Sequence, residues 1–194
     1  ITLASGSGVT CSDSLNPCQP TLGVIGVGNY ASRMLIPAFA KAGANFQTIA
    51  SSSGIGPVNV GRKFGFLQAS TDVPALLADP GCNFVVIATR HDSHGSLVKQ
   101  ALIARKHVFV EKPLCLTSEE LNAIEVAYTG EQLLMVGFNR RFAPHVRKAK
   151  GLLNKIPVAK SIILTINAGH IPTDHWTQDS EVGGGRLIGE CCHF

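Results

Sequence analysis

A glycine-rich turn is the first group of residues in this chain whose spacing suggests chemistry. Residues 26–31 read GVGNYA, between the apolar run of residues 22–25 and a helical pattern. In such a turn Gly26 permits a tight bend, Gly28 lets the backbone approach a pyrophosphate, and Ala31 allows close packing of helix on strand. The N–H groups at the start of the helix then face the phosphates. The sequence predicts a dinucleotide site formed by Gly26, Val27, Gly28, Asn29 and Tyr30.

The second predicted strand, residues 46–50, ends at serines rather than at an acidic residue. An Asp or Glu at this position commonly binds the 2′-OH of the adenosine ribose. Ser51 and Ser52, with Arg62 and Lys63 downstream, could instead accept a 2′-phosphate. The same residues are also typical of a polar turn followed by an exposed helix face. We expect NADP or NAD as the cofactor, with a slight preference for NADP because the acid is missing.

Lys112 lies in the tripeptide EKP, directly after the predicted strand of residues 107–110. Ligands of open α/β sheets bind at the carboxyl ends of the strands. A lysine at that edge could donate a hydrogen bond to a substrate hydroxyl and take its proton. The alternative is an ordinary solvated lysine. On its position, Lys112 is a candidate catalytic residue.

Two other runs look like reactive sites but fail on geometry. In residues 190–193 (ECCH) neighbouring helical side chains point in different directions, so they cannot converge on one ion. In residues 90–94 (RHDSH) the serine lacks the elbow and the oxyanion hole that hydrolysis requires. Asp92 and Ser93 are better explained as turn and capping residues. We predict no metal site.

The elements that must position these residues alternate between strand and helix. Apolar runs of strand length are followed by helical patterns, and such continuous runs indicate strands that are buried on both faces of a parallel sheet. The runs are residues 22–25, 46–50, 84–88, 108–110 and 133–136. The order predicts an α/β fold, a doubly wound parallel sheet of Rossmann type.

Three helices between the strands have clear sequence signals. After His94 an apolar stripe is formed by Leu97, Val98, Ala101 and Leu102. Thr117 and Glu120 have the spacing of a capping box. The first helix, residues 30–42, contains Pro37, which should kink it while Met34, Leu35, Ala38 and Phe39 pack inward.

The composition divides the chain into three parts and excludes several functions. Residues 1–20 are rich in Ser, Gly and Pro and read as a linker or tail, and residues 21–142 form the Rossmann domain. Residues 143–194 look like the incomplete start of an α+β substrate domain, with a basic helix and an Ile-rich strand at residues 158–168. A net charge of +4 is too small and scattered to indicate nucleic acid. No apolar run could span a membrane, and no secretory signal is recognisable, which favours a cytoplasmic protein.

Four segments together resemble the Gfo/Idh/MocA family of oxidoreductases, over residues 21–194. They read GVIGVGNYASRMLIPAF, VVIATRHDSH, KHVFVEKPLCLTSEEL and MVGFNRRFAPH. The resemblance implies NAD(P)-dependent hydride transfer at a secondary hydroxyl carbon of a sugar, cyclitol or nucleotide sugar, with Lys112 as the matching lysine. It also implies that Thr89, His94, Glu111 and Asn139 line the nicotinamide side, and Ala88 and Lys112 are further candidate cofactor contacts.

The resemblance extends to His193, but with one departure. The family commonly carries an Asp four residues before its catalytic His, and aligning His193 to that His places Gly189 where the Asp would be. Glu190 follows, about 100° further round a helix, and could substitute only if the helix rotates. His193 is expected to act as a general acid or base; the alternative is a plain helix residue. His175 and Trp176 are candidates for the sugar site, or a loop anchor.

Several details resemble a branch of the family that is often fused behind a zinc-dependent alcohol-dehydrogenase-like domain. Both ends of the chain would then be cuts, and homo-oligomers are expected when the second domain is complete. If the apolar face of the second domain is not covered, Ile162, Leu164 and Ile166 would be exposed and the solubility of the protein would fall.

A second functional hypothesis is a dinucleotide-binding module without turnover, either a sensor or an inactive partner.

Overall fold

A parallel sheet of six strands forms the centre of the computed structural model, which describes residues 19–167 and 169–193. All five neighbouring pairs are parallel, in the order β3-β2-β1-β4-β5-β6. This is the Rossmann order, so the predicted doubly wound α/β fold is confirmed. The strands are β1 (Thr21–Ile25), β2 (Asn45–Ala50), β3 (Gln68–Ser70), β4 (Phe84–Ile87), β5 (His107–Val110) and β6 (Leu134–Val136).

Helices connect the strands and continue beyond the sheet. The α-helices are α1 (Ile36–Lys41), α2 (Ile55–Phe64), α3 (Val73–Ala78), α4 (His94–Ile103), α5 (Ser118–Ala127), α6 (Pro144–Leu153) and α7 (Gly185–Gly189). Short turns of other types are a π-helical turn (Ala31–Leu35) and 3-10 turns at His91–Ser93, Asn139–Phe142, Trp176–Gln178 and Cys191–His193. The capping box is present, with the Thr117 hydroxyl accepting from the Glu120 N–H at 3.2 Å.

The core has two halves, one on each face of the sheet. In β4, Val85 and Ile87 face one cluster while Val86 faces the other, and all three are fully buried. The predicted stripe of α4 packs into the first cluster through Val98, Ala101 and Leu102, with Leu97 partly buried against it. Burial on both faces explains why the strands read as continuous apolar runs. The short strand β3 was missed because only one of its three residues is buried.

The first helix differs from its predicted form because it begins with the π-helical turn. Leu35 is buried and Phe39 packs against the core, but Met34 is 58% exposed and Ala38 is exposed as well. The predicted stripe assumed α-helical turns throughout, whereas the wider turn shifts the register of the residues within it. Pro37 lies in the first turn of α1, where a missing N–H is tolerated.

The predicted Ile-rich strand is wrong over residues 158–167, which form no strand, and Ala168 lies outside the described residues. Within the described ranges no strand pairs with this segment, and an unpaired strand leaves its backbone groups without partners. Ile162, Leu164 and Ile166 are exposed, as expected. Of the predicted linker, residues 1–18 lie outside the described part of the chain. No helix in the described part is long and apolar enough to cross a membrane.

Candidate active site

The glycine turn lies at the carboxyl end of β1, and its two glycines, Gly26 and Gly28, differ in their surroundings. Gly26 has a φ of +102°, and a Cβ added there would lie 2.3 Å from the carbonyl oxygen of Ala88. Its N–H donates to the carbonyl of Ala50 at 2.8 Å, which joins the turn to β2. A Cβ at Gly28 would meet nothing within 4 Å. The open space at Gly28 and the N–H groups of the helix start fit a pyrophosphate.

Tyr30 and Asn139 connect the glycine turn to the segment after β6. The side-chain amide of Asn139 donates a short hydrogen bond to the Tyr30 hydroxyl. Burial, and then the nearby Glu111 carboxylate, raise the pKa of Tyr30, while the hydrogen bond from Asn139 lowers it. Three predicted cofactor residues from separate parts of the chain therefore lie at one edge of the sheet.

The serine cluster after β2 is exposed at Ser52 and half-buried at Ser51, and it has no carboxylate beside it in the sequence. Arg62 and Lys63 occupy the last turn of α2, at the opposite end of that helix from the cluster. At 1.5 Å per residue this separation is about 10 Å along the axis. The predicted contribution of Arg62 and Lys63 to a 2′-phosphate site is therefore not supported.

His94 is fully buried and joins two loops instead of facing open space. Its Nδ1 lies 2.7 Å from the carbonyl oxygen of Pro113, and its Nε2 lies 3.3 Å from that of Thr89. The Thr89 hydroxyl is 2.7 Å from the Ser93 hydroxyl. Burial lowers the pKa of His94, although both carbonyl contacts raise it. Because its ring has no exposed surface, its predicted part in cofactor binding can only be indirect, through the backbone of Thr89 and Pro113.

Glu111 carries a buried carboxylate oxygen that lacks a partner among the described residues. Its Oε1 makes no hydrogen bond, while its Oε2 accepts from the backbone N–H of Lys112 at 3.3 Å. Gly137 packs against it so closely that a Cβ there would lie 2.6 Å from Oε1. Burial raises the pKa of Glu111, and the contacts with Lys112 oppose this. A buried oxygen without a partner suits a polar group of a bound ligand.

Lys112 is not a solvated lysine. Its side chain is 13% exposed, and its ammonium donates to the carbonyl oxygen of Gly189 at 2.5 Å. The Glu190 carboxylate lies 3.8 Å from the same nitrogen. The ammonium therefore has a fixed position at the carboxyl edge of β5.

Glu190 reaches Lys112 because α7 ends at Gly189. Glu190 has φ −127° and ψ −50°, and a 3-10 turn follows. The change of backbone turns this carboxylate toward Lys112, so Glu190 pairs with the lysine, and its substitution for the missing acid beside His193 stays a prediction. A Cβ at Gly189 would lie 2.7 Å from the carbonyl oxygen of Gly183 and 3.4 Å from the His91 ring. An aspartate at position 189 would not fit in this arrangement.

His193 lies in the electrostatic environment of the same lysine. Burial, followed by Lys112 and Arg140, lowers the pKa of His193, and Glu190 opposes this. A lowered pKa favours the neutral imidazole near pH 7, the form that accepts a proton. Lys112, Glu190 and His193 thus lie together although the sequence separates Lys112 from the other two by more than 70 residues.

Trp176 packs on the Rossmann domain through His91, a residue for which no sequence pattern indicates a role. The two ring centroids are 4.8 Å apart at 75°, and the Arg90 guanidinium lies 5.9 Å from the Trp176 ring. His175 is exposed and bonds to the Thr177 hydroxyl through Nδ1 at 2.8 Å. Trp176 is therefore an anchor of its loop, and a substrate role for His175 and Trp176 stays a prediction. In the described residues no cluster of His, Cys, Asp or Glu could hold a metal ion.

Comparison with known proteins decides the family. Residues 21–138 match the family model described as an oxidoreductase family with an NAD-binding Rossmann fold. The chain belongs to the Gfo/Idh/MocA family. The predicted family and the nicotinamide dinucleotide class of cofactor are therefore confirmed.

Individual relatives of this Gfo/Idh/MocA chain include named dehydrogenases. It is 38% identical over 105 residues to scyllo-inositol 2-dehydrogenase (NAD⁺) of Bacillus subtilis, a match that covers 53% of this chain and 30% of the relative. Over 119 residues it is 32% identical to levoglucosan dehydrogenase of Pseudarthrobacter phenanthrenivorans, covering 61% of this chain and 30% of the relative. The chain thus matches only about a third of the length of these relatives.

Two solved structures resemble about nine-tenths of the chain. A levoglucosan dehydrogenase in complex with NADH and levoglucosan superposes with a TM-score of 0.75 at 26% identity, covering 90% of this chain and 51% of that one. A 3-ketoreductase of Actinomadura kijaniata in complex with NADP and TDP-benzene shares the fold, with a TM-score of 0.72 at 24% identity, covering 89% and 54%. Fusion to a zinc-dependent domain stays a prediction.

Proposed function

We propose that the protein is an NAD(P)-dependent oxidoreductase that acts on a secondary hydroxyl carbon of a sugar, cyclitol or nucleotide sugar. The observation that carries this proposal is the position of Lys112, whose ammonium is held at the carboxyl edge of the sheet beside Glu190 and near His193. The family relatives named for inositol and levoglucosan support the substrate class. Residues 21–142 would bind the dinucleotide, and residues 143–194 would begin the substrate domain.

The cofactor would lie across the glycine turn and the ends of β4, β5 and β6. Gly28 and the N–H groups of Asn29 and Tyr30 would hold the pyrophosphate, because nothing fills the space beside Gly28. Glu111, with its unpartnered Oε1, would receive a polar group of the nicotinamide half. The remaining proposed contacts are Gly26, Val27, Ser51, Ser52, Ala88, Thr89 and Asn139.

Proton transfer would be the task of Lys112 and His193. The bound nicotinamide supplies the hydride acceptor or donor. Lys112 would donate a hydrogen bond to the substrate hydroxyl and orient it, which holds the carbon in place for transfer. His193, with its lowered pKa, would accept the hydroxyl proton in the oxidative direction and return it in the reductive one.

A Lys112→Ala variant tests this proposal, with Lys148→Ala on the exposed helix α6 as the matched control. We expect kcat for polyol oxidation to fall about 10²- to 10³-fold for Lys112→Ala, the usual loss when one positioned hydrogen-bond donor to the reacting oxygen is removed. Myo-inositol, scyllo-inositol and levoglucosan are the first substrates to test. Equal activity of the two variants would contradict the assignment of Lys112.

One observation favours the alternative, a dinucleotide-binding module without turnover. Lys112 is already bonded to the carbonyl of Gly189, and this contact must loosen before the ammonium can bind a hydroxyl. A chain that binds NADH or NADPH calorimetrically, yet oxidises and reduces no polyol or keto sugar, would favour this alternative.

The choice between NADP and NAD depends on the loop after β2. Exposed serines and the absence of an acid in residues 51–54 would allow a 2′-phosphate, even without Arg62 and Lys63. We expect NADPH to bind at least as tightly as NADH in calorimetric titrations. A Ser52→Asp variant should weaken NADPH selectively, because its carboxylate would repel the phosphate. Tighter binding of NADH by the unmodified chain would contradict a preference for NADP.

A further inference from the structure

His91 is a buried histidine that the proposed reaction does not use. It occupies the 3-10 turn directly after β4, and its residue surface is 6% exposed. Its hydrogen bond and its contact with Trp176 are made to a distant part of the chain, residues 176–193, which we call the docking segment. This segment carries Glu190 and His193.

The ring of His91 contacts the docking segment at three places. Nδ1 lies 2.8 Å from the carbonyl oxygen of Gly183. The His91 and Trp176 rings pack in a T-shaped arrangement, with 4.8 Å between ring centroids. A Cβ at Gly189 would lie 3.4 Å from the ring, so that backbone is also close. The His91 side chain therefore contacts the docking segment both near its start, at Trp176, and near its end, at Gly189.

The hydrogen bond to Gly183 defines the tautomer of His91. A carbonyl oxygen can only accept, so Nδ1 carries the hydrogen and donates it. Burial lowers the pKa of His91, the contact with Gly183 opposes this, and the neighbouring charged or titratable groups are Lys112, His94 and Glu190. The neutral ring is therefore the form that packs near pH 7.

Two further contacts hold the segment on either side of His91. The backbone N–H of Asp92 donates to the carbonyl of Val182 at 3.1 Å. The Lys112 ammonium donates to the carbonyl of Gly189 at 2.5 Å, and Glu190 lies beside it. Loss of the His91 ring would leave a cavity between these contacts, and the segment would be free to shift.

We propose that His91 is a positioning residue, which fixes the docking segment on the edge of the sheet so that Gly189 and Glu190 hold the Lys112 ammonium. His91 touches none of the reacting groups and acts through the segment. The proposal rests on the proposed function for its catalytic meaning, but the docking itself is independent of any cofactor.

Trp176 provides a direct measurement, because it is the only tryptophan in the chain. In His91→Leu we expect acrylamide to quench the fluorescence of Trp176 at least about twofold more efficiently. We also expect reductive methylation of Lys112, followed by mass spectrometry, to become at least about threefold faster. His91→Asn retains a donor for Gly183 and should show smaller changes in both. His145→Leu, at an exposed histidine on α6, is the matched control and should change neither.

Unchanged quenching and unchanged Lys112 labelling in a folded His91→Leu chain would overturn the proposal. Should that variant fail to fold, the unmodified chain supplies another measurement. Diethyl pyrocarbonate should carboethoxylate His91 more slowly than the exposed His145, and Trp176→Ala should remove this protection. Equal rates for His91 and His145 in the unmodified chain would overturn the proposal as well.

Kinetics separate this proposal from the proposed function. If the chain turns over, His91→Leu should lower kcat more than it raises KM, and His91→Asn should recover part of kcat. If quenching and labelling change as expected while the chain neither binds NADH nor turns over, the docking role stands and the oxidoreductase proposal fails.

Discussion

Gly26 and Gly28 belong to one turn but are required for different physical reasons. At Gly26 a side chain would meet the backbone of Ala88, and the positive φ adds strain. We expect Gly26→Ala to lower the free energy of unfolding by about 2 kcal/mol or more. At Gly28 the space is open, so Gly28→Ala should leave unfolding in urea unchanged and weaken NADH binding by at least about tenfold. The opposite pattern would mean that the pyrophosphate lies elsewhere.

Glu190 is the acidic residue whose carboxylate lies beside Lys112 in the candidate site. Its carboxylate approaches the Lys112 nitrogen at 3.8 Å, an ion-pair distance, and the lysine side chain is only 13% exposed. We expect Glu190→Gln to reduce kcat/KM by about tenfold, the equivalent of 1.4 kcal/mol. Glu181→Gln, at an exposed glutamate nearby in sequence, is the control. Comparable activities for these two variants would show that Gly189 alone positions Lys112.

At the scale of elements, the loop from β4 into α4 holds two buried histidines, His91 and His94. Burial lowers the pKa of both, so the unfolded chain binds more protons than the folded chain below about pH 6.5. Their contribution therefore makes stability decrease as the pH falls from 6.5 toward their folded values. The pKa of Glu111 is raised, so its contribution has the opposite sign: it makes stability decrease as the pH rises above the ordinary pKa of a glutamate.

Urea unfolding of Glu111→Gln between pH 5 and 7 isolates this effect, because that variant removes the opposing carboxyl. We expect its stability to decrease toward pH 5, and we expect a smaller decrease once His91→Asn is added. A flat profile in Glu111→Gln would show that the two imidazoles bind protons equally in the folded and unfolded chains.

At the scale of the whole molecule, an exposed apolar segment follows the Rossmann domain. Ile162, Ile163 and Leu164 are 71%, 92% and 62% exposed, which is unusual for neighbouring large aliphatic side chains. We expect the triple change of these residues to serine to reduce light scattering on concentration and to leave the urea midpoint unchanged. The single change of the exposed Leu152 on α6 to serine is the control. A lowered midpoint in the triple variant would show that these side chains pack in solution.

The sequence by itself determined five of the six strands and the glycine turn that follows β1. The apolar runs of β1, β2, β4, β5 and β6 and the glycine spacing are local patterns, and burial on both faces leaves them legible. Local patterns also placed Lys112 at the end of β5. They failed at Met34, where the π-helical turn changes the register, and at residues 158–167, where the chain forms no strand.

Tertiary structure alone decided how the candidate site is assembled. The contacts between His91 and Gly183 and between Lys112 and Gly189 join residues 92 and 77 positions apart. No periodicity or spacing encodes such contacts, because they depend on how the docking segment packs on the sheet. The end of α7 at Gly189, which turns Glu190 toward Lys112, likewise depends on the backbone conformation that this packing imposes.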